Sequence, residues 1–141
     1  MRSQWTLATA VLGLVGMALA GCTGVEDAPP DPLDGTAWLL VSLDGRASLP
    51  GTVITAVFER GSVHGSSGCN SFGASYEIHG DSIEIREIQS TLMACIEPDG
   101  AMDQEQEYIA RLSSSERYLI ADGRLQLMSS GQELLAFVPQ D

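Results

Sequence analysis

The sequence predicts an α+β fold, a curved antiparallel β-sheet of about eight short strands, partly barrel-like, packed on one α-helix. Three observations predict it. Short apolar runs with period-two alternation occupy most of the chain beyond Trp38. Two-residue junctions containing glycine separate several of them, and such junctions between short strands mean antiparallel hairpins. A single stretch, Ala101 to Leu112, breaks the rhythm with apolar residues at helical spacing.

Taken in order, Thr36 to Leu43 is a β-type run ended by Asp44-Gly45. Val53 to Glu59 alternates, with Ile54, Ala56 and Phe58 on one face, and Arg60-Gly61 turns the chain into Ser62-Val63-His64. Ser75 to His79 places Tyr76 and Ile78 inward, and Gly80-Asp81 is a hairpin signal. Ser82 to Ile88 keeps Ile83 and Ile85 in phase and then slips at Glu87-Ile88, which predicts a bulge. Pro98-Asp99-Gly100 is expected to end that strand. The helix follows, with Met102, Tyr108, Ile109 and Leu112 on its apolar stripe and Asp99 as its N-cap; Asp103, Glu105 and Glu107 suit the positive end of its dipole. Arg117 to Ala121, Arg124 to Met128 and Glu133 to Val138 complete the strands, joined by Asp122-Gly123 and Ser130-Gly131.

The N-terminus carries a different kind of information. Met1 to Gln4 holds one cation, Arg2, and no acid; Trp5 to Ala18 is mostly apolar; Leu19-Ala20-Gly21-Cys22 closes the run with small residues. This order of parts reads as a bacterial lipoprotein signal, residues 1–21, cut before Cys22. The apolar run is short of the roughly 20 residues that span a bilayer. Acyl chains on Cys22 would anchor the protein to a membrane, since two or more chains hold stably where one does not. An ordinary secretory signal with an incidental Cys22 is the alternative. Residues 22–32 hold three prolines and three acids and should form a solvated tether, leaving residues 33–139 as one domain. At this size about two thirds of the unfolded-chain surface is buried.

The chain carries a formal charge of −12, and removing Arg2 with the signal leaves −13. Every cation is an arginine. Such a balance excludes nucleic acid and electrostatic docking on anionic lipid, which require clustered positive charge. It serves solubility and admits a cationic partner.

Two stretches stand out, Ser67-Gly68-Cys69-Asn70-Ser71-Phe72-Gly73 and Ser90-Thr91-Leu92-Met93-Ala94-Cys95. With Leu33-Asp34-Gly35-Thr36-Ala37-Trp38 before them and Leu125-Gln126-Leu127 after, the chain resembles the META domain of HslJ-type heat-inducible lipoproteins over Leu33 to Val138. Ala74 departs from the pattern, standing where a second glycine is usual. The resemblance implies a compact α+β unit with a curved sheet on a helix, a place in the bacterial envelope, and an association with heat stress and novobiocin resistance. It brings no catalytic residues.

Cys69 and Cys95 form an even pair in an exported chain and are expected to be a disulfide. The closed loop of about 27 residues would stabilise the fold by roughly 3–4 kcal/mol. The alternative is a reactive Cys69 thiol working with His64, which needs a low pKa that an acidic chain does little to supply. Asn70 suits a turn, through its tolerance of left-handed backbone and its side-chain bonds to nearby amides. Alternatively the Gly65 to Gly73 loop presents Ser66, Asn70 and Ser71 to a ligand. His64 and His79 lack metal-site spacing, so no metal is expected. No nucleophile elbow or phosphate-cradling glycine loop occurs, so neither a catalytic set nor a cofactor is expected.

The expected function is therefore non-enzymatic: a lipid-anchored, monomeric envelope module, facing the periplasm or the cell exterior, that binds an unidentified envelope protein or a small ligand in stress or drug tolerance. An inhibitor of cationic proteins, a Cys69-dependent enzyme and a lipid carrier are the alternatives.

Overall fold

The computed structural model describes residues 29–141. The expected signal peptide, Cys22 and most of the expected tether lie outside the described residues. Eight strands follow the chain as β1 (Thr36–Leu43), β2 (Thr55–Glu59), β3 (Ser62–Ser66), β4 (Ser71–His79), β5 (Ser82–Ser90), β6 (Arg117–Ala121), β7 (Arg124–Ser129) and β8 (Gln132–Pro139). One helix, α1 (Ala101–Ser113), interrupts them between β5 and β6. Each strand pairs antiparallel with the next, and β8 pairs back on β1, so the sheet closes into a barrel. The seam between β5 and β6 is slender, with Ser82 opposite Arg117 as its single register pair.

The turns explain the meander. Asp44-Gly45, Arg60-Gly61, Asp122-Gly123 and Ser130-Gly131 all place both central residues at positive φ, the type I′ geometry whose twist matches paired strands. Glu87 also has positive φ, and the β4–β5 register slips between Gly73 and Ser75, so the bulge falls at Glu87-Ile88. Closer packing is visible at Gly65, where an added Cβ would lie 2.2 Å from the Thr55 carbonyl oxygen of β2.

Eight strands make a barrel just wide enough for side chains to fill. Phe58, Val63, Leu125, Leu127, Leu135 and Phe137 are fully buried in the core. Phe58 and Tyr76 meet edge to face at 5.0 Å, and Phe72 meets Tyr108 of α1 at 5.5 Å. The barrel is a packed interior, which removes the basis for a lipid carried inside it.

Four expectations change. The folded part starts before Leu33: Asp31 accepts the Leu33 N–H at 2.8 Å and the Tyr76 hydroxyl at 2.6 Å, so the end of the predicted tether is stitched to the barrel. Strand β5 stops at Ser90, well before Pro98, and Thr91 to Ile96 runs without regular structure. Asp99 does not cap α1. Gly100 occupies the cap with φ 85° and no side-chain bond, while its carbonyl accepts the Gln104 N–H. The inward face of α1 is also rotated from the predicted stripe. Ala101, Gln104, Glu105, Tyr108 and Leu112 are buried, whereas Met102 and Ile109 are only partly covered.

Helix α1 lies across one end of the barrel, where the β1–β2 and β3–β4 connections arrive. Gln104 accepts the Leu49 N–H at 2.7 Å and donates to Thr52 at 2.9 Å. Arg46 pairs with Glu107, and Arg111 with Asp44 at 2.6 Å. At the other end stand the turns at Gly61, Gly80 and Gly123, and Pro29, Pro30 and Pro32 lie there against Ile78, Gly80 and Tyr118. Nine-residue β4 separates the two ends by roughly 27 Å.

Candidate functional site

The chemistry of this chain gathers where α1 meets the β3–β4 loop. Loop residues Ser67 to Asn70 wrap around one carboxylate, that of Glu105, which is only 7% exposed. Its Oε2 accepts the backbone N–H of Asn70 at 2.7 Å and that of Cys69 at 3.2 Å. The Ser67 hydroxyl lies 2.7 Å from the same oxygen. Oε1 accepts the Asn70 side-chain amide at 2.7 Å. Burial alone would push the carboxyl up, but these hydrogen bonds from Asn70, Ser67 and Cys69 outweigh it and hold the Glu105 pKa below its ordinary value.

Asn70 carries the network outward. Its Nδ2 also donates to the Met93 carbonyl at 3.1 Å, while its Oδ1 accepts the Met93 N–H at 2.7 Å and the Thr91 hydroxyl at 2.8 Å. One buried side chain thus uses both donors and both acceptor sites, and so pins the Thr91 to Ile96 strap. The second pin is covalent: Cys69 and Cys95 form a disulfide with their Cα atoms 6.0 Å apart. The sulfur of Cys69 is therefore bonded to Cys95, and no thiolate is available there to work with His64.

The three loop residues Ser66, Asn70 and Ser71 separate in the structure. Asn70 is 3% exposed and turned toward Glu105 and Met93. Ser66 donates its hydroxyl to the Val53 carbonyl at 2.8 Å. Ser71 alone is exposed, its backbone N–H bound by the Thr91 hydroxyl at 3.1 Å. They do not form one presented cluster, because the loop's polar groups are spent on holding its own shape.

What the loop and helix present instead is apolar. Leu92, Met93 and Ala94 from the strap face Met102, Ile109 and Ala110 from α1 across a groove of about 560 Å³. Leu92 is 96% exposed and Ile96 88%, next to a fully satisfied buried polar network. Sequence reasoning quoted the strap only as a family signature. The available signal was an apolar stretch, Leu92 to Ile96, lacking both the alternation of a strand and the spacing of a helix. Glu105 was missed as a buried group; it stands four residues after Ala101 and three before Tyr108, on the buried face.

Two further buried polar groups belong to the core. The Tyr76 hydroxyl is held neutral by burial and by the Asp31 carboxylate that accepts its bond, which push its pKa up. Tyr108 is fully buried, and its hydroxyl has no hydrogen-bond partner among the described residues. Among those residues no group of three or more His, Cys, Asp or Glu is placed to hold a metal ion, and no helix is long and apolar enough to cross a membrane.

Comparison with known proteins agrees with this architecture. A protein from Burkholderia xenovorans solved by NMR is similar at TM-score 0.63 and 25% identity, with 82% of this chain and 94% of that one covered. A second NMR structure is similar at TM-score 0.62 and 18% identity, over 79% of this chain and 95% of the other. A DUF4847 family protein from Bacteroides vulgatus, solved by crystallography, is similar at TM-score 0.57 and 16% identity, over 78% and 97%. The last two likenesses concern the fold alone. None of the curated proteins compared matches the sequence. The META domain model matches residues 31–141, with the Ser67–Gly73 and Ser90–Cys95 stretches inside the match. The chain belongs to the META domain family.

Proposed function

We propose that this protein is a lipid-anchored component of the bacterial envelope that acts by binding rather than catalysis. The observation that carries the reading is the strap from Thr91 to Ile96. It is apolar and exposed, yet fixed by Asn70 and by the Cys69–Cys95 disulfide. An exposed apolar segment held in one shape reduces the entropy lost on binding, which is what a docking surface requires. The ionisable group most deeply engaged in the loop, Glu105, has its oxygens occupied by structural bonds and is not free to exchange protons with a substrate.

Anchoring rests on the Leu19-Ala20-Gly21-Cys22 sequence. The chain enters the domain at the barrel end opposite the strap, so an acylated Cys22 would leave the strap facing away from the membrane. Similarity to HslJ-type lipoproteins favours a role in envelope stress or drug tolerance. Metabolic labelling with palmitate, followed by membrane fractionation, tests the anchor. The wild-type chain should take up label and sediment with membranes, and a Cys22→Ala chain should do neither. Label-free wild-type protein in the soluble fraction would overturn the anchored reading. Unchanged heat and novobiocin tolerance in a deletion strain would remove the stress role.

A further inference from the structure

We propose that the groove between the Thr91–Ile96 strap and α1 receives a cationic amphipathic segment of a partner protein, its apolar side on the groove and its lysines or arginines on the Glu97 and Asp99 carboxylates where the strap runs into the helix. The inference rests on reading the domain as a binding module and names the chemistry of what it binds.

The groove is lined chiefly by apolar side chains, Leu92 and Met93 from the strap and Met102 and Ile109 from the helix, with Ser90, Thr91 and Gln106 also in its lining. Two methionines give it the adaptable, polarizable lining of surfaces that accept varied apolar side chains. Where the strap turns into the helix, Glu97 and Asp99 are exposed and form no ion pair among the described residues. The arginines at this end of the barrel are already engaged, Arg46 by Glu107 and Arg111 by Asp44. The chain holds no lysine. An approaching partner thus meets apolar surface bordered by uncompensated negative charge, which attracts a cation and repels an acidic segment. The same charge disfavours an anionic bilayer, and a second copy of this acidic domain would bring like charges together. A cationic amphipathic segment satisfies both the apolar groove and its border.

The test uses the full chain in neutral phosphatidylcholine nanodiscs, labelled at the methionine methyls and observed by NMR. It is titrated with a synthetic amphipathic helix of leucine and lysine, and separately with its leucine–glutamate counterpart. The account expects the lysine peptide to shift the Met93 and Met102 methyls saturably and the glutamate peptide to leave them in place. Leu92→Asp with Ile96→Asp, both at exposed positions, should weaken the lysine peptide about ten-fold or more. Glu97→Lys with Asp99→Lys should weaken it and flatten its salt dependence. Unmoved methyls, equal response to both peptides, or unchanged affinity in the Leu92/Ile96 variant would overturn the proposal. Methyl shifts caused by the nanodiscs alone would overturn it in favour of a membrane face, and concentration-dependent self-association through Leu92 in favour of a dimer. The readout comes from the folded domain whether or not Cys22 is acylated, so a failure of anchoring is distinguishable from a failure of this inference.

Discussion

Replacing Glu105 by glutamine changes one oxygen to an amide and leaves the shape nearly intact. Both orientations of the new side chain conflict with the loop. With nitrogen at the Oε1 position, two amide groups face each other, because Asn70 Nδ2 stands 2.7 Å away. Asn70 cannot flip to relieve this, since its oxygen is held by Met93 and Thr91. With nitrogen at the Oε2 position, the amide meets the N–H groups of Asn70 and Cys69 and the Ser67 hydroxyl. The cost is at least one hydrogen bond to a charged group, worth about 1.5–3 kcal/mol, plus a buried donor left without a partner. Glu105→Gln should therefore destabilise the domain by about 2–4 kcal/mol near neutral pH.

The acid limb sharpens that prediction. The folded-state pKa of Glu105 lies below its ordinary value of 4.5, so its contribution is fully present above that value and is lost as pH falls through the folded pKa. The stability gap between wild type and Glu105→Gln should therefore narrow as pH is lowered from about 7 to about 3. Urea unfolding of both proteins with the disulfide intact measures the gap at each pH. A gap below about 1 kcal/mol near neutral pH, or one that stays constant across the acid limb, would refute the reasoning.

Three other outcomes follow from the same packing. Gly65→Ala should destabilise by about 3 kcal/mol or more, because its Cβ would stand 2.2 Å from a backbone oxygen that cannot swing aside; equilibrium unfolding measures it. Tyr108→Phe should cost nothing or raise the melting temperature, since it deletes a buried hydroxyl that has no partner and keeps the ring contact with Phe72. Reducing the Cys69–Cys95 bond, which joins residues 26 apart, should lower stability by roughly 3–4 kcal/mol, and hydrogen exchange should quicken in the Thr91–Ile96 strap more than in β7 and β8.

Local rules made most of the barrel legible. Asp44-Gly45, Arg60-Gly61, Asp122-Gly123 and Ser130-Gly131 announced their turns because each carries a glycine, which adopts left-handed backbone at no steric cost. The alternation through Ile54, Ala56 and Phe58 fixed the inward face of β2. Closure was harder to read. It depends on β8 returning to β1, where Leu40 meets Phe137 across nearly the whole domain, and no local pattern encodes that pairing. In β8 the run Leu134 to Phe137 is buried on both faces, so the alternation that marks an edge or half-covered strand is absent.

At the site, the cysteine pair was visible from its context, whereas Glu105 was hidden by its own chemistry. A helical glutamate is ordinarily solvated, and only the convergence of Ser67, Cys69 and Asn70 makes its burial tolerable. The strap was legible as sequence and not as surface. Its exposure follows from the tertiary pins at Asn70 and Cys95, which hold Leu92 and Ile96 out of a core that is already full.

The measurement that bears most directly on the account is site-specific photocrosslinking in native membranes of the source organism. A photoreactive residue is placed at Leu92 on the strap, and in a second protein at Asp122 on the β6–β7 turn at the opposite barrel end. An anchored binding module working through its strap predicts a discrete protein adduct from position 92, absent from position 122 and lost with Cys22→Ala. The same adducts from both positions, or none from position 92, would contradict it.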